Sequence, residues 1–350
     1  MIDNQYYTPE VHGDYKLQSI GDLELEEGGI IRDCQLAYRT FGRLNENRDN
    51  AILVTTWYSG TSKIMEDVYI GEGHALDPMK YFIVVINQIG NGLSTSPHNT
   101  PPPFNGPRFP DIRISDDVRA QHKLLTQHLN IHSLELVVGG SMGAQQTYEW
   151  AVRYPEMVKR AAPIAGTAKT THHDKLFSET VIEAITSDPA WNDGWYESAM
   201  DVHLGLRRHA RLWGAMGFST EALKLEKWRE LGFNSIDDFL VGFLEAYFLP
   251  MDPNDLMTLA WKWQRADVSR MTAGNLYVAL QRIKAIVFVM PIDEDMFFPP
   301  RDCLCEAEMI PNAQFRPIKS LWGHLGLFGL EPSYMDQIDQ NLKELLSINP

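Results

Sequence analysis

Residues Leu134–Val152 read LELVVGGSMGAQQTYEWAV. The apolar run Leu136-Val137-Val138 stops at Gly139, and the chain turns through Gly140-Ser141-Met142-Gly143. Helical spacing then follows, with Ala144, Tyr148, Ala151 and Val152 on one face and Pro155 closing the helix. The pattern is strand, sharp turn, helix, with a serine at the apex. Its local form is G-x-S-x-G, the nucleophile elbow, in which flanking glycines permit a tight turn and the hydroxyl projects above the sheet. A structural serine in an ordinary strand-turn-helix unit is the competing reading, and the rest of the chain decides between the two.

Upstream of this stretch, residues 16–42 alternate apolar and polar positions on either side of Glu27-Gly28-Gly29, which predicts a β-hairpin. The runs Ala51–Thr55 and Tyr81–Ile86 are apolar throughout and followed by glycine-bearing loops, as strands buried on both faces of a parallel sheet are. From Gly90 to Arg113 the chain is rich in Asn, Pro, Gly and Ser without periodicity, and a loop of that length after a sheet strand reads as functional. Ser115 is expected to cap a helix carrying Asp116 and Asp117 in its first turn. Ala161–Ala165 reads as another strand.

Downstream the pattern changes. From Ala168 to Gln281 there is almost only helical periodicity, with Trp191, Trp195, Trp213, Trp228, Trp261 and Trp263, six of the nine tryptophans. The α/β pattern resumes at Ile286–Met290, and a last helix behind Ser333 places Met335, Ile338, Leu342 and Leu345 on one face. The expected architecture is an α/β doubly wound, mostly parallel sheet. Residues 1–167 and 282–350 form its core, and residues 168–281 form a helical lid.

Bulk properties narrow the function classes. The chain has 350 residues, 44 % of them hydrophobic, enough for a large core. Its net charge of -15, from 46 acidic and 31 basic residues with no basic run, argues against nucleic acid and anionic membranes as partners. Cys34, Cys303 and Cys305 do not make a disulfide framework or a zinc site and are expected to be reduced thiols of a cytoplasmic protein. The amino-terminal stretch MIDNQYYTPEVHGDY lacks the apolar segment of a signal peptide.

A serine needs a base to take its proton, and the base needs a third group to orient it. On α/β-hydrolase sheets the partners follow in the order Ser, Asp or Glu, His. Ile286–Met290 is followed by Asp293-Glu294-Asp295, and later a single histidine, His324, stands in the loop Leu321-Trp322-Gly323-His324-Leu325-Gly326. The order fits Ser141, Asp295 and His324, although spacing does not separate Asp295 from Asp293 and Glu294. Oxyanion donors are expected from the Met142 N–H, next to the nucleophile, and from the Trp57–Gly60 loop, where the Tyr58 N–H is the choice. Tyr58 has a second reading as an aromatic pocket wall. His172-His173-Asp174 lacks a third ligand at motif spacing and reads as surface or pocket edge, so no metal and no cofactor are expected.

At LAYRTFGRLN, HALDPMKYFIVVINQIGNG, FPDIRISDDVRAQHKLL, GGSMGAQQTYEWAVRYPEMV, DEDMFFPP and WGH the sequence resembles the homoserine O-acetyltransferase family of the α/β-hydrolase superfamily. The resemblance implies Ser141 as nucleophile, His324 as base and, because the family's aspartate stands four residues before the proline that is Pro299 here, Asp295 as acid. It also implies pairing of two copies through the lid. Two departures bear on substrate. Leu325 stands where the family usually has an aspartate for the substrate ammonium, and Ser219 aligns where the lid supplies an arginine for the substrate carboxylate. TWYSG replaces the family's HALTG, and GAQQ replaces GGMQ. The expectation is a serine hydrolase of a small ester, lactone or amide, with Trp57, Leu325 and Ser219 as substrate-binding candidates. The alternative is an O-acetyltransferase using acetyl-CoA and a hydroxyl acceptor such as homoserine.

Overall fold

The protein is described here from a computed structural model covering residues 4–350. Among the described residues ten strands occur in chain order: β1 (Lys16–Ser19), β2 (Leu23–Glu24), β3 (Ile30–Ile31), β4 (Gln35–Phe41), β5 (Ala51–Thr55), β6 (Phe82–Ile86), β7 (Leu136–Gly140), β8 (Arg160–Ile164), β9 (Ile286–Val289) and β10 (Ala313–Phe315). Eight of them form one sheet in the order β1-β4-β6-β5-β7-β8-β9-β10. The β1–β4 and β4–β6 pairs are antiparallel and every pair from β6 to β10 is parallel. The predicted hairpin is present at Gly28-Gly29, where β2 and β3 pair as a separate two-stranded ribbon, while β1 and β4 outside it join the main sheet.

The apolar runs are continuous because both faces of the sheet are covered. Leu53, Val84 and Val137 face one core, together with Tyr148 and Trp150 of helix Met142–Arg153. Ile52, Val54, Val85, Leu136 and Val138 face the other, against Tyr69 of helix Ser62–Tyr69 and Ile338, Leu342 and Leu345 of helix Pro332–Ser347. The period of two assigns alternate residues to opposite helical layers. Between β8 and β9 the chain is helical, and His172–Thr186, His203–Met216 and Pro253–Gln264 are its longest helices.

Two expected caps are displaced. Helix Ile114–Lys123 begins before Ser115, and its start is closed by Asp116, whose Oδ2 accepts the Arg113 N–H at 2.8 Å. The last helix begins at Pro332, with Glu331 at the cap position, so Ser333 lies within its first turn. In each case another residue already defines the helix start: a carboxylate reaching back from the third position, or a proline with its φ preset.

The topology concentrates the carboxyl ends of the strands. Thr55 at the end of β5 lies in register with Gly139 of β7. The loop leaving β5 therefore sits beside the turn leaving β7, and the loops after β9 and β10 arrive from the same edge.

Candidate active site

Ser141 occupies the turn between β7 and helix Met142–Arg153 with φ 56° and ψ -123°. This is a backbone region that L residues avoid, costing roughly 1–3 kcal/mol. The surroundings hold it there: its N–H donates to the Ile164 carbonyl at 2.9 Å, and its carbonyl accepts from Ala144 and Gln145. The two glycines of the motif are explained by close approach to β5. A Cβ on Gly139 would lie 2.0 Å from Thr55 Oγ1, and one on Gly143 would lie 2.8 Å from the Thr55 carbonyl. Thr55 Oγ1 also donates to the Gly143 carbonyl at 2.8 Å, tying β5 to the first helical turn.

His324 Nε2 lies 2.9 Å from Ser141 Oγ, and His324 Nδ1 lies 2.7 Å from Asp295 Oδ2. Asp295 keeps its other oxygen on two backbone donors, the N–H groups of Phe297 at 2.8 Å and Phe298 at 3.1 Å. With the carboxylate accepting from Nδ1–H, the Nε2 lone pair is left for the serine hydroxyl. The three residues are 2–4 % exposed, and Phe297 and Phe298 pack on the imidazole. The rivals of Asp295 point elsewhere. Asp293 is exposed and accepts the Ser320 N–H at 2.9 Å, bracing the loop that carries His324, and Glu294 is exposed.

The loop after β5 is anchored through its carbonyls. Thr56 O accepts from Gln146 Nε2 at 2.9 Å and Gln88 Nε2 at 3.2 Å, and Trp57 O accepts from Gln88 Nε2 at 2.8 Å and the Gly60 N–H at 3.1 Å. Asn91 Nδ2 holds Gly60 O at 3.1 Å. In a trans peptide the N–H points away from its C=O, so the anchored Trp57 carbonyl aims the Tyr58 N–H the opposite way. Among the described residues neither the Tyr58 nor the Met142 N–H has a backbone acceptor. The Tyr58 side chain is a wall after all: its ring stacks on His209 and Trp213, and its hydroxyl donates to the Leu256 carbonyl at 3.2 Å. The loop Gly90–Arg113 serves as a scaffold, with Asn91, Ser94 and Ser96 bonding its own and neighbouring backbone.

Ser141 and His324 open into a narrow cavity, part of it continuous with solvent. Trp57, Tyr58 and Leu325 line it from the core, and Trp213, Phe243, Tyr247 and Phe248 line it from the helical insertion. Among the lining residues there is no Asp, Glu, Lys or Arg. Burial pushes the Tyr247 phenol up to about 12 and holds His209, behind Tyr58, down at about 4, so neither contributes charge at neutral pH. Of the three substrate-binding candidates, Trp57 and Leu325 are brought to the cavity and Ser219 is not. Its hydroxyl caps helix Thr220–Lys224 by accepting the Ala222 N–H at 2.9 Å and donates to the Leu321 carbonyl. Of the six tryptophans of the insertion only Trp213 lines the cavity. His172 and His173 are exposed at the start of helix His172–Thr186, and the described residues contain no cluster of three metal-ligating side chains. All three cysteines are free, and no helix among the described residues is long and apolar enough to cross a membrane.

A sheet with parallel strands, a strained serine on the strand-to-helix turn and a histidine-carboxylate pair from two later loops define a class of protein. A family model for the alpha/beta hydrolase fold matches residues 60–229, and the chain belongs to that family. Within it, the chain is 59 % identical to an ethyl acetate hydrolase of Pseudomonas veronii, with 98 % of this chain and 99 % of the relative aligned. The crystal structure of an acetylester hydrolase from Corynebacterium glutamicum superposes with a TM-score of 0.98 at 57 % identity, covering 99 % of this chain and all of that one. The resemblance to homoserine O-acetyltransferases also extends over the chain, at 32 % identity to the enzyme of Trichormus variabilis, with 93 % of this chain and 92 % of that one covered. The protein is thus an α/β-hydrolase-fold enzyme placed with esterases and more distantly related to the acetyltransferases.

Proposed function

We propose that the protein hydrolyses small aliphatic esters, acetate esters foremost, through an acyl-Ser141 intermediate. The observation that carries this reading is the continuous line Asp295–His324–Ser141 opening into an uncharged, aromatic cavity. On attack His324 Nε2 takes the Ser141 proton, and Asp295 stabilises the imidazolium that forms. The Met142 and Tyr58 N–H groups receive the developing oxyanion, each worth roughly 3 kcal/mol of transition-state stabilisation. His324 then returns the proton to the leaving alcohol, and a water activated by the same base releases the acid.

Relatives named for ethyl acetate and acetylester hydrolysis support the acyl size. The composition of the cavity supports hydrolysis over transfer to an amino acid. Leu325 offers no charge to an ammonium, and a buried cation without a partner is expensive. Ser219 is committed to a helix cap and offers nothing to a carboxylate. Residues 168–281 act in this reading as the lid over the acyl site. Exposed Leu204, Leu225 and Val241 on that segment support pairing of two copies through it, and the free cysteines support a reducing, cytoplasmic location.

The test is a series of p-nitrophenyl esters of increasing acyl length, run beside acetyl-CoA with homoserine, on the wild type and Ser141→Ala. The expected result is fastest turnover of the acetyl ester and no activity in the variant. Rapid consumption of acetyl-CoA that depends on homoserine would overturn hydrolysis in favour of transfer.

A further inference from the structure

Lys262 and Asp117 form an ion pair in which both side chains are fully buried, one on helix Pro253–Gln264 of the lid and the other on helix Ile114–Lys123 of the core. Burial pushes the Lys262 ammonium down from its ordinary value and the Asp117 carboxyl up, and the charge of each partner works against both shifts. Such a pair is a weak source of net stability, because the desolvation of both ions offsets their attraction. What distinguishes it is where the remaining protons of the ammonium go. Besides Asp117 Oδ2, Lys262 Nζ faces the Ile89 carbonyl at 2.7 Å and Gln88 Oε1 at 3.1 Å. Three oxygens match the three protons of an ammonium, which has no acceptor to offer. Asp117 Oδ1 accepts the Ile89 N–H at 2.7 Å, so the pair grips the backbone next to Gln88 from both sides.

The consequence falls on the Gln88 amide. A side-chain amide can present either end to a neighbour, but with Lys262 beside it only the oxygen can face the ammonium. The NH₂ end is thereby turned toward the carbonyls of Thr56 and Trp57, at 3.2 and 2.8 Å. The Trp57 carbonyl belongs to the peptide whose other end is the Tyr58 N–H. A donor on the carbonyl of a peptide fixes its plane and polarises its N–H, since hydrogen bonds in a chain strengthen one another in a low-dielectric interior. Gln146 contributes a parallel brace on Thr56 O, itself oriented by Gln121 and Trp150.

We infer that Lys262, held by Asp117, is a positioning residue of the oxyanion hole: it sets the orientation of Gln88, which aims and polarises the Trp57–Tyr58 peptide. This rests on the acyl-serine reading above. Because Lys262 belongs to the lid and Gln88 to the core, it also makes the oxyanion donor depend on the lid being seated.

The test compares wild type, Lys262→Met, Gln88→Met and Ser141→Ala on p-nitrophenyl acetate. In parallel it measures affinity for a small aliphatic trifluoromethyl ketone, whose serine adduct carries the oxyanion. Losing an oxyanion donor outright costs about 10²–10³ in kcat, so its misorientation is expected to lower kcat by about 10- to 100-fold, with KM little changed. Ketone affinity should fall by the same factor. Circular dichroism and melting curves establish folding. Should Lys262→Met fail to fold, Gln88→Met decides alone, because it leaves the ion pair in place. Folded variants with wild-type kcat, or with reduced kcat but undiminished ketone affinity, would overturn the inference while an inactive Ser141→Ala left the acyl-serine reading standing. An active Ser141→Ala would overturn both.

Discussion

The floor and the roof of the cavity are built on opposite principles. On the floor, Ser141 stands on the turn after β7 and Asp295 and His324 on the loops after β9 and β10, and their polar atoms are joined in a single line. The roof, from Trp213 to Phe248, is a set of aromatic rings packed on one another, including Trp213 on Phe248 and Tyr247 on Phe248. The floor holds geometry through directional bonds in which a small displacement breaks the chemistry. The roof holds shape through contacts that tolerate exchange. The difference teaches that reaction type and substrate choice are separable in this molecule, and that they should respond differently to substitution.

The largest effects should come from the floor. Ser141→Ala is expected to reduce kcat/KM on acetate esters by about 10⁴-fold or more, and Asp295→Asn by about 10³- to 10⁴-fold, because the amide no longer holds the productive imidazole tautomer. Steady-state kinetics on folded variants checks both, and a loss of tenfold or less would break the contrast. Next is Leu325→Asp at the seam between floor and roof. It places an unpaired carboxylate, 4 % exposed in the parent side chain, beside His324. A tenfold or greater loss of ester turnover with a lowered melting temperature is expected, measured by kinetics and calorimetry. Phe243→Ala, on the half-buried edge of the roof, should instead change kcat/KM on the acetyl ester by only about threefold, in keeping with the roughly 10–200-fold ceiling on discrimination by apolar pocket groups. It should raise turnover of butyryl and hexanoyl esters relative to acetyl, which a chain-length series reads directly.

A last expected effect, on stability and not on turnover, lies outside the cavity at the start of the helical segment between β8 and β9. Glu306 accepts the N–H groups of Ala168 and Lys169, at 2.6 and 3.3 Å, and burial pushes its carboxyl up to about 8. A carboxyl with a raised folded-state pKa keeps its proton in the fold after the unfolded chain has lost it. Its contribution is therefore fully present below the unfolded value near 4.5 and is lost as pH rises toward about 8. Glu306→Gln should flatten the fall in melting temperature between pH 5 and 8 by the equivalent of roughly 1–3 kcal/mol. Equal slopes in the two proteins would contradict it.

The contrast also describes what a linear reading can reach. Ser141 and Asp295 are visible because each follows a strand whose apolar run is unmistakable, whereas His324 follows β10, an Ala-Gln-Phe strand without such a run, and is placed by chain order and its glycine-flanked loop. The choice among Asp293, Glu294 and Asp295 needed either the family resemblance or the fold, since only the fold shows Asp293 turned to Ser320. Gln88 and Lys262 leave no signal, because 174 positions separate them and their meeting depends on where helix Pro253–Gln264 lands on the sheet and its loops. Ser219 aligns with the family's carboxylate-binding arginine, whereas in the fold its hydroxyl caps helix Thr220–Lys224 and donates to the Leu321 carbonyl, a commitment that depends on contacts far apart in the chain. The displaced caps at Ser115 and Ser333 show the limit at short range, where a neighbouring carboxylate or proline outcompetes a serine.

The most direct test of the account is titration with a small alkyl fluorophosphonate, following activity and locating the adduct by mass spectrometry. The account predicts that one equivalent abolishes ester hydrolysis, that the phosphonyl group is found on Ser141, and that Ser141→Ala takes up none. Undiminished hydrolysis by protein fully labelled at Ser141 would contradict it.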